Sequence, residues 1–127
     1  MRILIVDDDV VLSEMLRETC LQLGHDPVCI HSASDCISRV KQESPEVVFL
    51  DVCLGRGNGL DLVPQIRAYS QDIPLAMMSG FEPLSTASRA MAQGADYFLR
   101  KPFGREEVGK ILKGVEQRTS SSILSET

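Results

Sequence analysis

Val47 to Gly59 read V-V-F-L-D-V-C-L-G-R-G-N-G. Val47-Val48-Phe49-Leu50 is too short for a helix and suits a strand buried on both faces. Asp51 follows at once, and a glycine-rich turn comes next. A carboxylate so placed stands at the carboxyl end of the strand, the edge where open parallel sheets bind ligands. Aspartate also caps turns after strands. The stretch alone leaves both readings open, and its neighbours decide between them.

Working outward, the strand pattern recurs. Upstream, Ile3 to Val6 form a first strand that ends in Asp7-Asp8-Asp9. Val10 to Leu23 has helical spacing, with Leu12, Met15, Leu16, Cys20 and Leu23 as the expected buried stripe and Gly24 as the stop. Pro27 opens a second strand, Val28-Cys29-Ile30. Ser34 is the expected cap of a helix from about Asp35 to Gln42, ended by Pro45. Downstream, Asn58 caps a helix from Leu60 to about Tyr69. Pro64 falls in its first two turns, where a missing N–H costs least. Pro74 to Met78 make a fourth strand ending at Ser79-Gly80. A helix of small residues runs from about Pro83 to Gln93 and stops at Gly94. Tyr97-Phe98-Leu99 is a fifth strand, closing on Arg100-Lys101-Pro102, and Glu106 to about Gln117 is the last helix. Residues 1–118 thus form one domain, and 119–127 read as a polar tail or the start of a linker.

Five strand–helix repeats with short connections predict the α/β class. Right-handed crossovers make the five-stranded sheet parallel, with helices on both faces. A length of 127 residues, 43% of them apolar, suits a single core. No apolar run is long enough to cross a membrane, and the N-terminus lacks the pattern of a signal peptide, so a cytoplasmic protein without membrane contact is expected. Cys20, Cys29, Cys36 and Cys53 form no C-x-x-C pair and are not at zinc-site spacing from His25 or His31, so free thiols are expected. A net charge of −5 with no cluster of Lys and Arg argues against direct nucleic-acid binding.

The polar residues then collect on one edge. Asp7, Asp8 and Asp9 follow the first strand, Asp51 the third, Ser79 the fourth and Lys101 the fifth. In the doubly wound order 2-1-3-4-5 the first and third strands are neighbours, which sets Asp7 and Asp8 beside Asp51. One acid, taken as Asp9, serves the dipole of the following helix. The others repel one another and call for a cation, and all-oxygen ligands suit Mg²⁺. A carboxylate beside Mg²⁺ can attack phosphorus, Lys101 can balance the phosphoryl charge, and Ser79 can offer it a hydroxyl. Singly, Ser79 reads as a turn serine, Lys101 as a solvated lysine and Phe98 as core. Together, the polar set points to phosphoryl transfer onto Asp51.

The segments I-L-I-V-D-D-D, F-L-D-V-C-L-G-R-G-N-G-L-D-L, M-M-S-G and G-A-D-Y-F-L-R-K-P-F resemble, in order and spacing, the receiver domain of two-component response regulators. The resemblance covers Arg2 to about Gln117. It implies a flavodoxin-like (βα)5 fold in which Asp51 takes a phosphoryl group from the phosphohistidine of a sensor histidine kinase or phosphotransfer protein. It implies that Asp8, Asp51 and the backbone carbonyl of Cys53 hold Mg²⁺, with Asp7 acting through water. It also implies that Ser79 and Phe98 form a switch pair. Together they repack the face of the fourth helix, fifth strand and fifth helix, which controls an output domain or partner. Such a protein is not an enzyme in the ordinary sense, since it acts only on its own phosphorylation state. The last segment also resembles receivers joined to transcriptional activators. A homodimer through the fourth and fifth helices stays open.

The chain departs from the family at Gly55-Arg56, where Pro-Gly is frequent, which implies a looser turn. Cys53 and Phe81 stand where many relatives carry polar residues that assist water, which implies a long-lived aspartyl-phosphate. Two rivals share these residues. Ile3 to Val10 also resembles the D-x-D motif of haloacid-dehalogenase-type phosphohydrolases, with Asp7 as nucleophile and Asp9 as acid, but the further acidic pair and the cap are missing. A pseudo-receiver used only for docking would not need the full acid, hydroxyl and lysine set. A flavodoxin-like FMN site fails because three aspartates would repel the cofactor's phosphate.

Overall fold

The computed structural model describes residues 1–55, 57–80 and 82–126, with side chains described as far as Arg118. Five strands carry the sheet: β1 (Arg2–Val6), β2 (Asp26–Ile30), β3 (Val47–Asp51), β4 (Leu75–Ser79) and β5 (Tyr97–Arg100). They alternate with α1 (Val10–Gln22), α2 (Cys36–Glu43), α3 (Leu62–Tyr69), α4 (Leu84–Gln93) and α5 (Arg105–Glu126). Every pairing is parallel, and the strand order is β2-β1-β3-β4-β5. This is the expected flavodoxin-like order, with β1 and β3 adjacent.

Side-chain alternation along the central strands divides the interior in two. Leu4, Val6, Val48, Leu50, Leu75 and Met77 face Val40, Val63, Ile66 and Ala90, so α2, α3 and α4 cover one side. Ile3, Ile5, Phe49, Ala76 and Met78 face Leu16, Cys20, Val108 and Leu112, so α1 and α5 cover the other. Val47 to Leu50 are wholly buried, which explains why the run shows no polar alternation. Burying each such side chain contributes roughly 1.5–3 kcal/mol. Pro27 lies within β2, where an edge position spares the sheet a donor.

Several boundaries differ from those expected. On α1 the buried positions are Ser13, Leu16 and Cys20, whereas Met15 is 62% and Leu12 38% exposed. The inward face is therefore rotated toward Ser13, and two residues of the expected stripe look outward. Ser34 does not cap α2. It sits inside a 3-10 turn, Ala33–Asp35, that precedes the helix. Ser44, at φ 47°, closes α2 by donating its N–H to Val40 before Pro45. Asn58 does cap, accepting from the Leu60 N–H at 2.9 Å, but what it opens is the 3-10 turn Gly59–Asp61. Pro64 is then the third residue of α3, in the first turn, where no intrahelical donor is lost. Gly94, at φ 118°, ends α4 as expected. The last helix does not end near Gln117. No Gly or Pro interrupts the chain there, and α5 continues to Glu126 through residues read as a tail.

All four cysteines are free. Burial pushes the Cys20 thiol up to about 12 and that of Cys36 up to about 11. At neutral pH they are packing groups and not nucleophiles. Among the described residues no helix is long and apolar enough to cross a membrane.

Candidate functional site

The carboxyl edge of the sheet gathers the polar residues that β1, β3 and β4 deliver. Asp51 is the last residue of β3 and Ser79 the last of β4, while Asp7 directly follows β1. Asp7 is 2%, Asp51 4% and Ser79 0% exposed, so each was taken out of water by the sheet itself. Buried polar groups need partners, and these have them.

Asp51 has both carboxylate oxygens engaged. Oδ1 accepts from the Cys53 N–H at 2.9 Å, and Oδ2 accepts from Lys101 Nζ at 2.5 Å. Lys101 also reaches Asp7 Oδ2 at 3.1 Å, and Asp7 Oδ1 takes the Asp9 N–H at 2.9 Å. Asp8 turns across the sheet to accept from the Gly55 N–H at 2.8 Å. Asp9 caps α1 through the Leu12 N–H at 3.1 Å, as expected. The Lys101 backbone is fixed as well. Its N–H donates to the Ser79 carbonyl at 2.7 Å, its bond to Pro102 is cis, and the following turn is tied by Gly104 N–H to Glu107 at 2.5 Å.

Charge follows from this geometry. Burial pushes Asp51 up to about 6. The Lys101 and Cys53 hydrogen bonds pull it back, and Asp7 raises it further. Burial by itself lowers Lys101, but its contacts with Asp51 and Asp7 outweigh that and hold the ammonium above its ordinary range. Asp7, Asp8 and Asp51 each present one carboxylate oxygen within 4.8 Å of the others. Three hard oxygen donors so close fit a small divalent cation such as Mg²⁺.

Above Asp51 lies an open cleft of about 560 Å³, lined by Asp8, Asp9, Leu12, Asp51, Cys53, Gly80, Glu82 and Lys101. A second, apolar cleft of about 370 Å³ runs between α1 and residues 102–108, and shares Leu12 and Lys101 with the first. The structure thus brings together Asp7, Asp8, Asp51 and Lys101, and sets Cys53 on the rim. Ser79 hydrogen bonds Glu82, three residues on, and Glu82 itself reaches the cleft. Phe98 lies on β5 opposite Met77 of β4, half-buried against the side covered by α2, α3 and α4. Arg56 and Phe81, whose identities prompted expectations about the turn and the phosphate lifetime, lie outside the described residues.

Two participants were missed in the sequence. Glu82 carries no periodic signal, and only its place before Pro83 in a strand-end loop marks it. In the sequence Gly59 stands only as one glycine of a glycine-rich turn. It packs directly on the Asp51 backbone, and its N–H donates to Val52 at 2.6 Å. After Asp51, Cys53–Leu54 pairs antiparallel to Gly57–Asn58.

Comparison with known proteins agrees with this geometry. The family model described as response regulator receiver domain matches residues 3–113. The response regulator MprA of Mycobacterium avium is 30% identical over 119 residues, covering 94% of this chain and 52% of that protein. MprA of Mycobacterium tuberculosis is 29% identical over 126 residues, covering 99% of this chain and 55% of that protein. The chain spans about half the length of the curated relatives it matches. NtrX from Brucella abortus superposes with a TM-score of 0.86 at 28% identity, over 97% of this chain and 29% of that one. A CheY-like receiver domain protein from Methanospirillum hungatei gives 0.87 at 21% identity, over 94% of this chain and 97% of that one, a likeness of fold.

Proposed function

This chain belongs to the family of response regulator receiver domains, and on that premise we propose that Asp51 accepts a phosphoryl group from the phosphohistidine of a sensor histidine kinase or phosphotransfer protein. The observation that carries the proposal is the buried Asp51 carboxylate at the floor of an open cleft, held by Lys101 and flanked by Asp7 and Asp8.

An Asp51 oxygen attacks phosphorus, the P–O bond forms as the P–N bond breaks, and the leaving imidazole keeps the electron pair and takes a proton. The Cys53 N–H and Lys101 fix the carboxylate's orientation before attack, so little reorganisation remains. Asp8, Asp51 and the Cys53 carbonyl, with Asp7 through water, would hold Mg²⁺, which would supply positive charge against the phosphoryl oxygens. The domain acts on no other substrate.

Ser79 then donates to the new phosphoryl group, and the Phe98 ring turns inward. That repacks the surface of α4, β5 and α5, which governs an output domain or a separate partner in transcriptional control within the cytoplasm. The donor arrives over α1. Val10, Val11 and Met15 are exposed on α1, Met15 lines the second cleft and Leu12 borders both, so a helix carrying the donor histidine covers this apolar stretch.

Acetyl phosphate with and without Mg²⁺, followed by intact-mass measurement, tests the central claim. One Mg²⁺-dependent phosphoryl adduct that is lost in Asp51→Asn is expected. An adduct that survives in Asp51→Asn, or none under any condition, would sink the proposal.

A further inference from the structure

We propose that Glu82 is a positioning residue that holds the Ser79 hydroxyl away from the acceptor and competes with the phosphoryl group for its proton. The inference rests on Asp51 being the phosphoryl acceptor.

Ser79 is wholly buried at the end of β4, so its hydroxyl must have a partner. That partner is the Glu82 carboxylate, with Ser79 Oγ as donor. A serine hydroxyl has one proton. While Glu82 receives it, the hydroxyl has none to give an oxygen on phosphorus. Forming the Ser79–phosphoryl bond therefore requires breaking the Ser79–Glu82 bond.

Glu82 also lines the cleft with Asp8, Asp51 and Lys101. A phosphoryl group placed there brings further negative charge next to this carboxylate. Departure of Glu82 from Ser79 thus relieves repulsion at the moment the hydroxyl is needed. The bond to Ser79 is charge-assisted, and its acceptor is only partly buried and can turn to solvent. Such a contact favours the unphosphorylated arrangement without locking it. Asp9 cannot take this part, because its carboxylate is committed to capping α1.

The test is a cycle over Glu82→Ala, Ser79→Ala and the double variant, each treated with acetyl phosphate and Mg²⁺. The rate and final extent of adduct formation are read by intact mass, with thermal melting to confirm folding. With Ser79 present, Glu82→Ala is expected to speed adduct formation or raise its extent by about threefold to tenfold, the range for the net worth of one ordinary hydrogen bond, since the acceptor is partly exposed. In the Ser79→Ala background, the same change is expected to do nothing. Glu82→Gln keeps an acceptor for Ser79 and should fall between the parent and Glu82→Ala. An equal gain in both backgrounds would overturn the inference, since charge alone would then explain it. No gain from Glu82→Ala in a parent that does form the adduct would overturn it too, leaving Asp51 as acceptor. A parent that forms no adduct removes both.

Discussion

Gly59 lies against the backbone of Asp51 so closely that a Cβ there would stand 2.9 Å from the Asp51 carbonyl carbon and 3.2 Å from the Val52 Cα, with the carbonyl oxygen nearer still. Real side chains do not tolerate such approaches to backbone. The glycine is required by proximity, and the atoms it spares belong to the acceptor and to Val52, which follows it.

Gly59→Ala is therefore expected to push the end of β3 out of place. Overpacking of this kind costs about 1–3 kcal/mol, and adduct formation with acetyl phosphate should fall with it. Gly109→Ala, where nothing lies within 4 Å, is the control. Equal melting temperatures for the two variants would contradict the close-packing account.

Lys101 is the ammonium that Asp51 and Asp7 share, at 2.5 and 3.1 Å. Lys101→Met leaves two buried acids without that counter-charge, and a loss of about 3–5 kcal/mol is expected. Mg²⁺ should restore more stability to this variant than to the parent, because the same oxygens then gain a cation. Denaturant titrations with and without Mg²⁺ measure the difference. A smaller Mg²⁺ effect in Lys101→Met would refute it.

Asp51 titrates near 6 in the folded chain against an ordinary value of 3.8. Between those values the folded state binds the proton that the unfolded chain has lost, so stability falls as pH rises through this window. The cost of the buried charge is complete above about pH 6 and is lost on acidification. Asp51→Asn should accordingly raise Tm at pH 7 without Mg²⁺ by about 3–6 °C, the shift that ~1 kcal/mol gives a domain of this size. The gain should vanish near pH 4. Carboxyl-carbon NMR should place the Asp51 midpoint near 6, and Mg²⁺ should lower it. A gain that grows toward acid pH would show the sign to be wrong.

Met15 is exposed on α1, away from the acceptor's own chemistry. Met15→Glu should leave labelling by acetyl phosphate unchanged and slow transfer from a phosphorylated histidine kinase by about tenfold, as loss of one interface anchor does. Equal slowing with both donors would place Met15 outside the docking face.

Much of this architecture was legible because burial on both faces writes itself into sequence. Val47 to Leu50 and Leu75 to Met78 are unbroken apolar runs, and each ends in the polar residue that marks the sheet edge. Asp7, Asp8 and Asp51 could be brought together from strand order alone. Glu82 could not, since a single carboxylate in a loop has no period and its partner hydroxyl was assigned elsewhere. The facing of α1 was misjudged for a related reason. Leu12 and Met15 fit helical spacing, but apolar residues at the rim of an interface have the same spacing as those in the core.

The ammonium that balances Asp7 lies 94 residues further along the chain. A ribosome therefore delivers every acid of this cluster long before it delivers the lysine. Until β5 docks beside β4, the nascent domain holds mutually repelling acids with no lysine among them, and their closest packing must wait for the last strand. Completion of the charge pattern thus reports completion of the sheet, and a chain truncated before Lys101 would expose the acids without a finished acceptor.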